Sequence, residues 1–257
     1  MKKCKIQKAC QFCGKIFEIK PSEFHLRKNC SRECKSKGLV PCLPEINDRQ
    51  MEIIVGSLLG DAHLDRPKKE THNSRFQKGQ KMAMQEYQQS LHDELQPYSN
   101  SLKMYEKNRS LKGKNYVEQT MLYHTCCHPI FTKLRNQWYV KEKKILPEKL
   151  NITPLTLAYW FCDDGYIGKS NNAFICTHNF SKIEVERLVG LIKKDLKLDT
   201  RPVPSRKNKN NQIQYVIYIG SIDYDCFIDI IQPHIPWNCL QYKLLKFEKK
   251  FKHKKKS

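Results

Sequence analysis

Acidic side chains and long apolar runs are both scarce in this chain. Its 257 residues hold 26 Asp and Glu against 47 Lys and Arg, a net charge of +21. That imbalance is larger than an ordinary solvated surface carries. It points to a polyanionic partner, because Lys and Arg contacts to phosphates release condensed counterions. No apolar run approaches the roughly 20 residues of a membrane span. No apolar signal region follows the basic start Met1-Lys2-Lys3-Cys4. These absences exclude a membrane partner and lead to the expectation of a soluble, intracellular protein. The first 44 residues also lack a catalytic His pair, since His25 stands alone there. That argues against a nuclease whose chemistry resides in this segment. Hydrophobic residues make up 39% of the chain and aromatics 10%, which is sufficient for a packed core.

The charge is uneven. Residues 1–44 carry 11 Lys and Arg against 3 acids, and Lys243 to Ser257 carries 8 Lys against Glu248 alone. Two basic ends flank a moderately basic body. The twelve cysteines are read for metal first, as suits a reducing compartment. Cys10-x2-Cys13 and Cys30-x3-Cys34, with 16 residues between the pairs, offer four thiolates for tetrahedral zinc. Gly14 sits where the Cys10–Cys13 knuckle turns. Cys4, Cys42 and His25 are spare or substitute ligands. A segment this small needs metal binding to fold. Cys126, Cys127, Cys162, Cys176, Cys226 and Cys239 are expected at apolar or partly buried positions.

From Asn47 onward the chain repeats itself. Asn47 or Asp48 caps an apolar helix that ends at Gly60-Asp61. Thr153-Pro154 opens another, which ends at Asp163-Asp164-Gly165. Extended sequence follows each. An amphipathic helix comes next, with Met84, Tyr87, Leu91 and Leu95 on one face in the first copy. In the second copy a Ser181–Glu184 capping box precedes Val185, Leu188, Val189, Ile192 and Leu196. Two strands and a closing helix complete each copy: 101–107, 115–125 and a helix from Pro129 to Tyr139, then 200–206, 212–220 and a helix at 222–231. Asp61 lies 20 residues before Lys81, the expected start of the first amphipathic helix, and Asp164 lies 17 before Ser181. Lys144 follows Asp61 by 83 residues and Lys243 follows Asp164 by 79. This order predicts an α+β fold of two pseudo-symmetric αββαββα halves, 45–150 and 151–257, behind a module at 1–44.

A carboxylate at the C-terminal end of an apolar helix opposes the helix dipole, and a bound cation would reverse that cost. Gly56, Ser57, Gly60 and Ala158 would let two such helices approach closely. Asp61 and Asp164 would then meet at one end. Two carboxylates beside a phosphate suit Mg²⁺ or Mn²⁺, which can activate a water and stabilise a leaving oxygen.

Ile54-Val55-Gly56-Ser57-Leu58-Leu59-Gly60-Asp61-Ala62 and Leu157-Ala158-Tyr159-Trp160-Phe161-Cys162-Asp163-Asp164-Gly165 resemble the two motifs of single-chain LAGLIDADG homing endonucleases. The likeness extends over residues 50–250. It implies a monomeric saddle whose sheets lie in successive major grooves of a long double-stranded DNA site. It also implies that the motif aspartates bind divalent metal and cut both strands. Carried over by position, Asp61 and Asp164 are the metal-binding acids, with carbonyl ligands from Gly60 and Asp163. Lys144 and Lys243 are the basic residues of the two centres, and Gln80 positions water. The first motif departs from the family pattern at Leu59, where an acid is common, and at Ala62, where glycine is usual. The cysteine module is similar to small zinc ribbons attached to mobile-element nucleases, which implies DNA contact.

Side chains able to reach bases or phosphates are Arg75, Gln77, Lys78, Lys103, Lys107 and Arg109 in the first half. The second half offers Arg201, Arg206, Lys207, Asn208 and Gln212. Ser205 to Gln212 is expected to be a mobile basic loop. Members of the family also act as intron RNA maturases or as binding proteins without cleavage, and these are the competing expectations.

Overall fold

The computed structural model describes residues 5–11, 13–39, 43–67, 72–100, 102–111 and 113–245. The N-terminal module holds a hairpin of β1 (Ile6–Ala9) and β2 (Ile16–Ile19), followed by α1 (Arg32–Leu39). None of these three elements was legible in the sequence. Pro41 and Cys42 of the expected linker Pro41–Pro44 lie outside the described residues, as do Cys4 and the tail beyond Leu245.

The first half runs α2 (Asp48–Leu59), β3 (His63–Leu64), β4 (Phe76–Lys81), α3 (Gln85–Glu94), β5 (Lys103–Leu111), β6 (Lys114–His124) and α4 (Pro129–Trp138). A short ribbon of β7 (Tyr139–Val140) and β8 (Lys143–Lys144) follows. The second half runs α5 (Pro154–Asp164), β9 (Gly165–Ile167), β10 (Ala173–Cys176), α6 (Lys182–Leu196), β11 (Thr200–Lys207), β12 (Ile213–Ile219) and α7 (Tyr224–Ile231). Each half folds into a four-stranded antiparallel sheet, in the order β3-β4-β6-β5 and β9-β10-β12-β11. The two orders correspond strand for strand, as the pseudo-repeat requires.

The caps form where the sequence placed them. The Asn47 side chain accepts from Gln50 N at 2.8 Å, and Gln50 returns the bond to the Asn47 amide. Thr153 Oγ1 accepts from Thr156 N at 3.1 Å, with Pro154 in the first turn. Ser181 and Glu184 form the reciprocal box. In α3 the buried face holds Tyr87 and Leu91, with Leu95 just beyond its last turn. That helix starts at Gln85 rather than Lys81, because β4 stays paired with β6 through Lys81 and a 3-10 turn, Met82–Met84, intervenes.

Helices α2 and α5 pack against each other at the centre of one continuous core that takes buried side chains from both halves. Gly56 and Gly60 set their separation. A Cβ on Gly56 would lie 2.5 Å from Thr156 O, and one on Gly60 would lie 2.5 Å from Asp163 Cβ. Thr156 Oγ1 and Thr153 Oγ1 donate to Glu52 across the contact. Leu59 and Ala62, the two departures from the family motif, are both core residues, so packing accounts for them.

Two expectations are corrected. The Ser205–Gln212 segment is not a loose loop. Strand β11 continues to Lys207, and the hairpin is closed by Asn208, whose side chain accepts from Asn210 N at 2.9 Å and Gln212 N at 3.0 Å, with Asn211 at φ 61°. Of the six scattered cysteines, Cys162 is buried and Cys126, Cys176 and Cys239 are half-buried, as expected, whereas Cys127 and Cys226 are exposed. Among the described residues no helix is long and apolar enough to cross a membrane.

Candidate active site and nucleic-acid interface

Both motif helices end at the same place, and their last residues crowd there. The Asp61 carboxylate is exposed and accepts a 2.7 Å hydrogen bond from Gln80 Nε2. Its backbone amide donates to Asp163 Oδ2 at 3.2 Å, across the helix pair. Burial pushes the Asp164 carboxyl up to about 7, and the charges of Asp61 and Asp163 push the same way. The structure therefore sets Gln80 on Asp61 and puts the Asp164 carboxyl within reach of the Asp61 charge.

The lysines do something the sequence did not suggest. Lys144 Nζ donates to the carbonyls of Leu58 and Ala62, both at 2.8 Å, and of Gly60 at 3.2 Å. An ammonium has three protons, and here all three are taken. Lys243 Nζ donates to Cys162 O at 2.6 Å and Phe161 O at 3.2 Å. Each lysine thus caps the C-terminal carbonyls of one motif helix, where the helix dipole favours a cation. Burial lowers Lys144 to about 8, against the pull of Asp164, Asp163 and Asp61. It lowers Lys243 in the same way. The Gly60 carbonyl, expected as a metal ligand, is engaged by Lys144. We expect Lys144→Met to cost about 2–3 kcal/mol of stability, because three carbonyls lose a charged donor. Thermal unfolding beside a cleavage assay checks this. A residue that acted on phosphate alone would lose cleavage with no change in melting temperature.

Lys78 is also corrected. Expected on the DNA-facing side, it is fully buried and pairs with Asp163 Oδ1 at 2.7 Å. Its Nζ donates to Tyr87 OH at 2.7 Å and lies 3.3 Å from Ser57 Oγ. Tyr87 OH donates to Asp163 Oδ1 at 3.0 Å. Burial pushes the Asp163 carboxyl up, and Lys78 opposes the shift. Asp163 therefore serves through its side chain in a buried ion pair. Lys78, Asp163 and Tyr87 were missed as a unit. The signal was available, because strand alternation puts Lys78 on the same face as core residue Phe76 and as Gln80, the partner of Asp61.

Strand register defines the opposite, open face of each sheet. Gln77 pairs with His124, and Lys103 and Lys107 pair with Leu122 and Glu118. Gln77, Lys103, Lys107 and Arg109 therefore share the face turned away from α2 and α3. Asp65 Oδ2 accepts from Arg75 Nε at 2.9 Å and Gln77 Nε2 at 3.2 Å, which orients both side chains. Arg109 pairs with Glu118 at 2.8 Å. In the second sheet Arg201 and Lys207 are exposed, and Arg206 Nε donates to Gln214 Oε1 at 3.0 Å.

With this geometry in place, comparison with known proteins decides the lineage. The model of the LAGLIDADG DNA endonuclease family matches residues 51–227. The chain belongs to this family. A probable intron-encoded endonuclease of Wickerhamomyces canadensis is 31% identical over 208 residues, covering 76% of this chain and 84% of the relative. The cytochrome b mRNA maturase bI2 of Debaryomyces hansenii is 27% identical over 229 residues, covering 86% of this chain and 82% of the relative. The solved structure of the homing endonuclease I-WcaI bound to its DNA recognition sequence matches with a TM-score of 0.71 at 27% identity, covering 88% of this chain and 97% of that one.

The cysteine module lies outside the matched family segment. Cys10, Cys13, Cys30 and Cys34 bring their four Sγ atoms within 4.8 Å of one another. The separations of 3.6 Å for Cys13–Cys30, 3.4 Å for Cys30–Cys34 and 3.6 Å for Cys13–Cys34 are close to the roughly 3.8 Å edge of a tetrahedral zinc–thiolate site. Hydrogen bonding with Cys34 holds the Cys30 thiol up at about 12. Gly14, at φ 71°, makes the knuckle turn. His25 lies against Phe24 and outside the thiol cluster.

Proposed function

We propose that the chain is a site-specific endonuclease that cuts both strands of a double-stranded DNA target, acting as a monomer on a long site, with one carboxylate from each half. The observation that carries this reading is the meeting of Asp61 and Asp164 at one end of the motif-helix pair, close enough for the Asp61 charge to act on the Asp164 carboxyl. Such crowding of like charge suits a divalent cation, Mg²⁺ or Mn²⁺, held by Asp61 and Asp164. When bound, it would supply activation of a water and stabilisation of the leaving oxygen. Gln80 holds Asp61 in place and orients water beside it. Lys144 and Lys243 fix the motif-helix ends and place positive charge close to where a phosphoryl oxygen gathers electron density. Arg75, Gln77, Lys103, Lys107, Arg109, Arg201 and Arg206 supply phosphate and base contacts from the open sheet faces, and Lys207 adds charge beside the hairpin end. The units that divide this work are residues 1–44, 45–150 and 151–257.

A homing enzyme cuts the uninterrupted form of its own insertion site, so the DNA flanking the reading frame, joined without it, is the substrate to test. Double-strand cleavage in Mg²⁺, abolished by EDTA, is the expected result. Binding of that DNA without cleavage would support a binding protein instead. The maturase reading draws on the Debaryomyces relative, whose name records action on cytochrome b mRNA. It predicts faster splicing of the host intron when the protein is added.

The thiol cluster is assigned to zinc, and its module to added grip on DNA through the basic residues around it. Stripping zinc with a thiol-specific chelator is expected to weaken DNA affinity roughly tenfold or more, as several phosphate contacts are lost. The cleavage rate of bound DNA should stay close to normal. Titration of affinity and single-turnover cleavage separate the two, and loss of chemistry with affinity intact would place catalysis in the module.

A further inference from the structure

The open face of the second sheet differs in chemistry from that of the first. Register places Arg201, Tyr218, Phe174 and Tyr166 in one row across β11, β12, β10 and β9. Tyr166 and Phe174 stack with centroids 5.0 Å apart and planes 12° apart. Phe174 and Tyr218 follow at 5.2 Å, and the Arg201 guanidinium lies 5.0 Å from the Tyr218 ring. The next row on the same face, Val203, Val216 and Cys176, is also apolar. Val216 is buried yet stands outside the main core cluster, as its place on the open face requires. The helices α5 and α6 pack on the other face, beneath Ile175 and Ile217.

In the first half the equivalent row is His63, Gln77 and His124, and it is polar. The correspondence is positional: His63 and Tyr166 each follow a motif aspartate by two residues. The aromatic row therefore begins beside the carboxylates and runs outward. Four strands at about 4.8 Å spacing make it roughly 14 Å long, about the length of four base-pair steps.

Building on the endonuclease reading above, we infer that this row reads thymine 5-methyl groups in the half-site bound by residues 151–245, so that the two halves recognise DNA by different chemistry. Tyr166 and Phe174 cover one another's inner faces and Tyr218 leans on Phe174 at 56°, so a base finds no slot between neighbouring rings. They turn their edges to the groove, and the apolar feature a major groove offers to such edges is the thymine methyl. Arg201 completes the row with a donor for guanine or phosphate. Uracil lacks that methyl, so the same face favours DNA over RNA of the same sequence.

The test begins with duplexes selected by cleavage from a randomised pool. Each thymine of the selected site is then replaced by deoxyuridine, and affinity is measured with Ca²⁺ in place of Mg²⁺. We expect a run of thymines in one half-site, with about a fourfold loss of affinity for each methyl removed there, the worth of burying one such group. No loss is expected in the other half-site. Phe174→Ser should abolish the thymine–uracil difference. Tyr166→Ser, at the exposed end of the row, should reduce it if the first variant folds poorly, and the wild-type measurement requires neither. A selected site that tolerates uracil in both halves, or lacks thymine in both, overturns this inference and leaves the endonuclease reading standing. So does a thymine preference that survives in a folded Phe174→Ser or Tyr166→Ser protein. A pool that yields no enriched sequence overturns both.

Discussion

Asp164→Asn is expected to abolish double-strand cleavage, with a loss of a thousandfold or more, while DNA affinity changes little. The magnitude follows from removing one of the two carboxylates proposed to hold the catalytic metal, roughly 4 kcal/mol or more of barrier. Affinity should be spared because the proposed phosphate contacts come from the sheets and basic ends, and asparagine removes a negative charge from the neighbourhood of a polyanion. The same substitution has a second consequence that a purely catalytic residue would not show. The Asp164 carboxyl stands at about 7 in the folded chain, above its ordinary value of 3.8, through burial and the charges of Asp61 and Asp163. A raised carboxyl binds its proton more tightly in the folded state. Stability of the metal-free protein should therefore fall as pH rises from about 4 to about 7, and stay low above that. Lys144, lowered to about 8, acts in a separate and higher window. Asp164→Asn removes the first dependence and should stabilise the metal-free protein by about 1–3 kcal/mol at pH 8 and by little at pH 4.5. Melting curves at the two pH values, with and without Mg²⁺, read this directly. Normal cleavage by Asp164→Asn and by Asp61→Asn would remove both residues from the site.

Much of this was open to a reader of the sequence, for local reasons. Caps at Asn47, Thr153 and Ser181 act within one helical turn. The apolar motif helices and the alternating strands carry their periods in adjacent residues, so the doubled αββαββα order was visible. Asp61, Asp164 and the four clustered thiols followed from spacing. What was hidden arises from contacts between distant segments. The carbonyl cage of Lys144 spans 82 to 86 positions in the chain and exists because the β7–β8 ribbon folds back beneath the motif helix. Lys78 was misplaced because a charge in a basic strand was read as a surface charge, and the partner that makes its burial tolerable lies in the other half. The hairpin at Asn208 was read as mobile because its composition is polar, whereas its order comes from side-chain bonds to its own backbone.

The buried pair of Lys78 and Asp163 is a second place where the pseudo-symmetry breaks, and it gives the two halves complementary buried charges. By register, Ile175 occupies in the second half the position that Lys78 holds in the first, and Gly60 stands where the second motif has Asp163. The ion pair therefore forms once, from the sheet of one half to the motif helix of the other. Two copies of the first half would bury two ammonium groups against glycines. Two copies of the second would bring two carboxylates together with no cation to receive them. Only the mixed pairing satisfies every group, as expected when buried charge selects a partner at some cost in stability. Lys78→Met should leave Asp163 buried and unpaired. The expected loss is about 3–5 kcal/mol, a fall of roughly 6–20 °C in melting temperature for a domain of this size. Asp163→Asn strands Lys78 and should cost nearly as much. It also weakens the acceptor of the Asp61 amide, so its cleavage should fall further than its stability predicts. The double variant Lys78→Met, Asp163→Asn should lose less than the sum of the two single losses, with a favourable coupling of about 2–3 kcal/mol. Additive losses would mean that the two groups act independently, and that the halves are matched by the Gly56 and Gly60 contact alone.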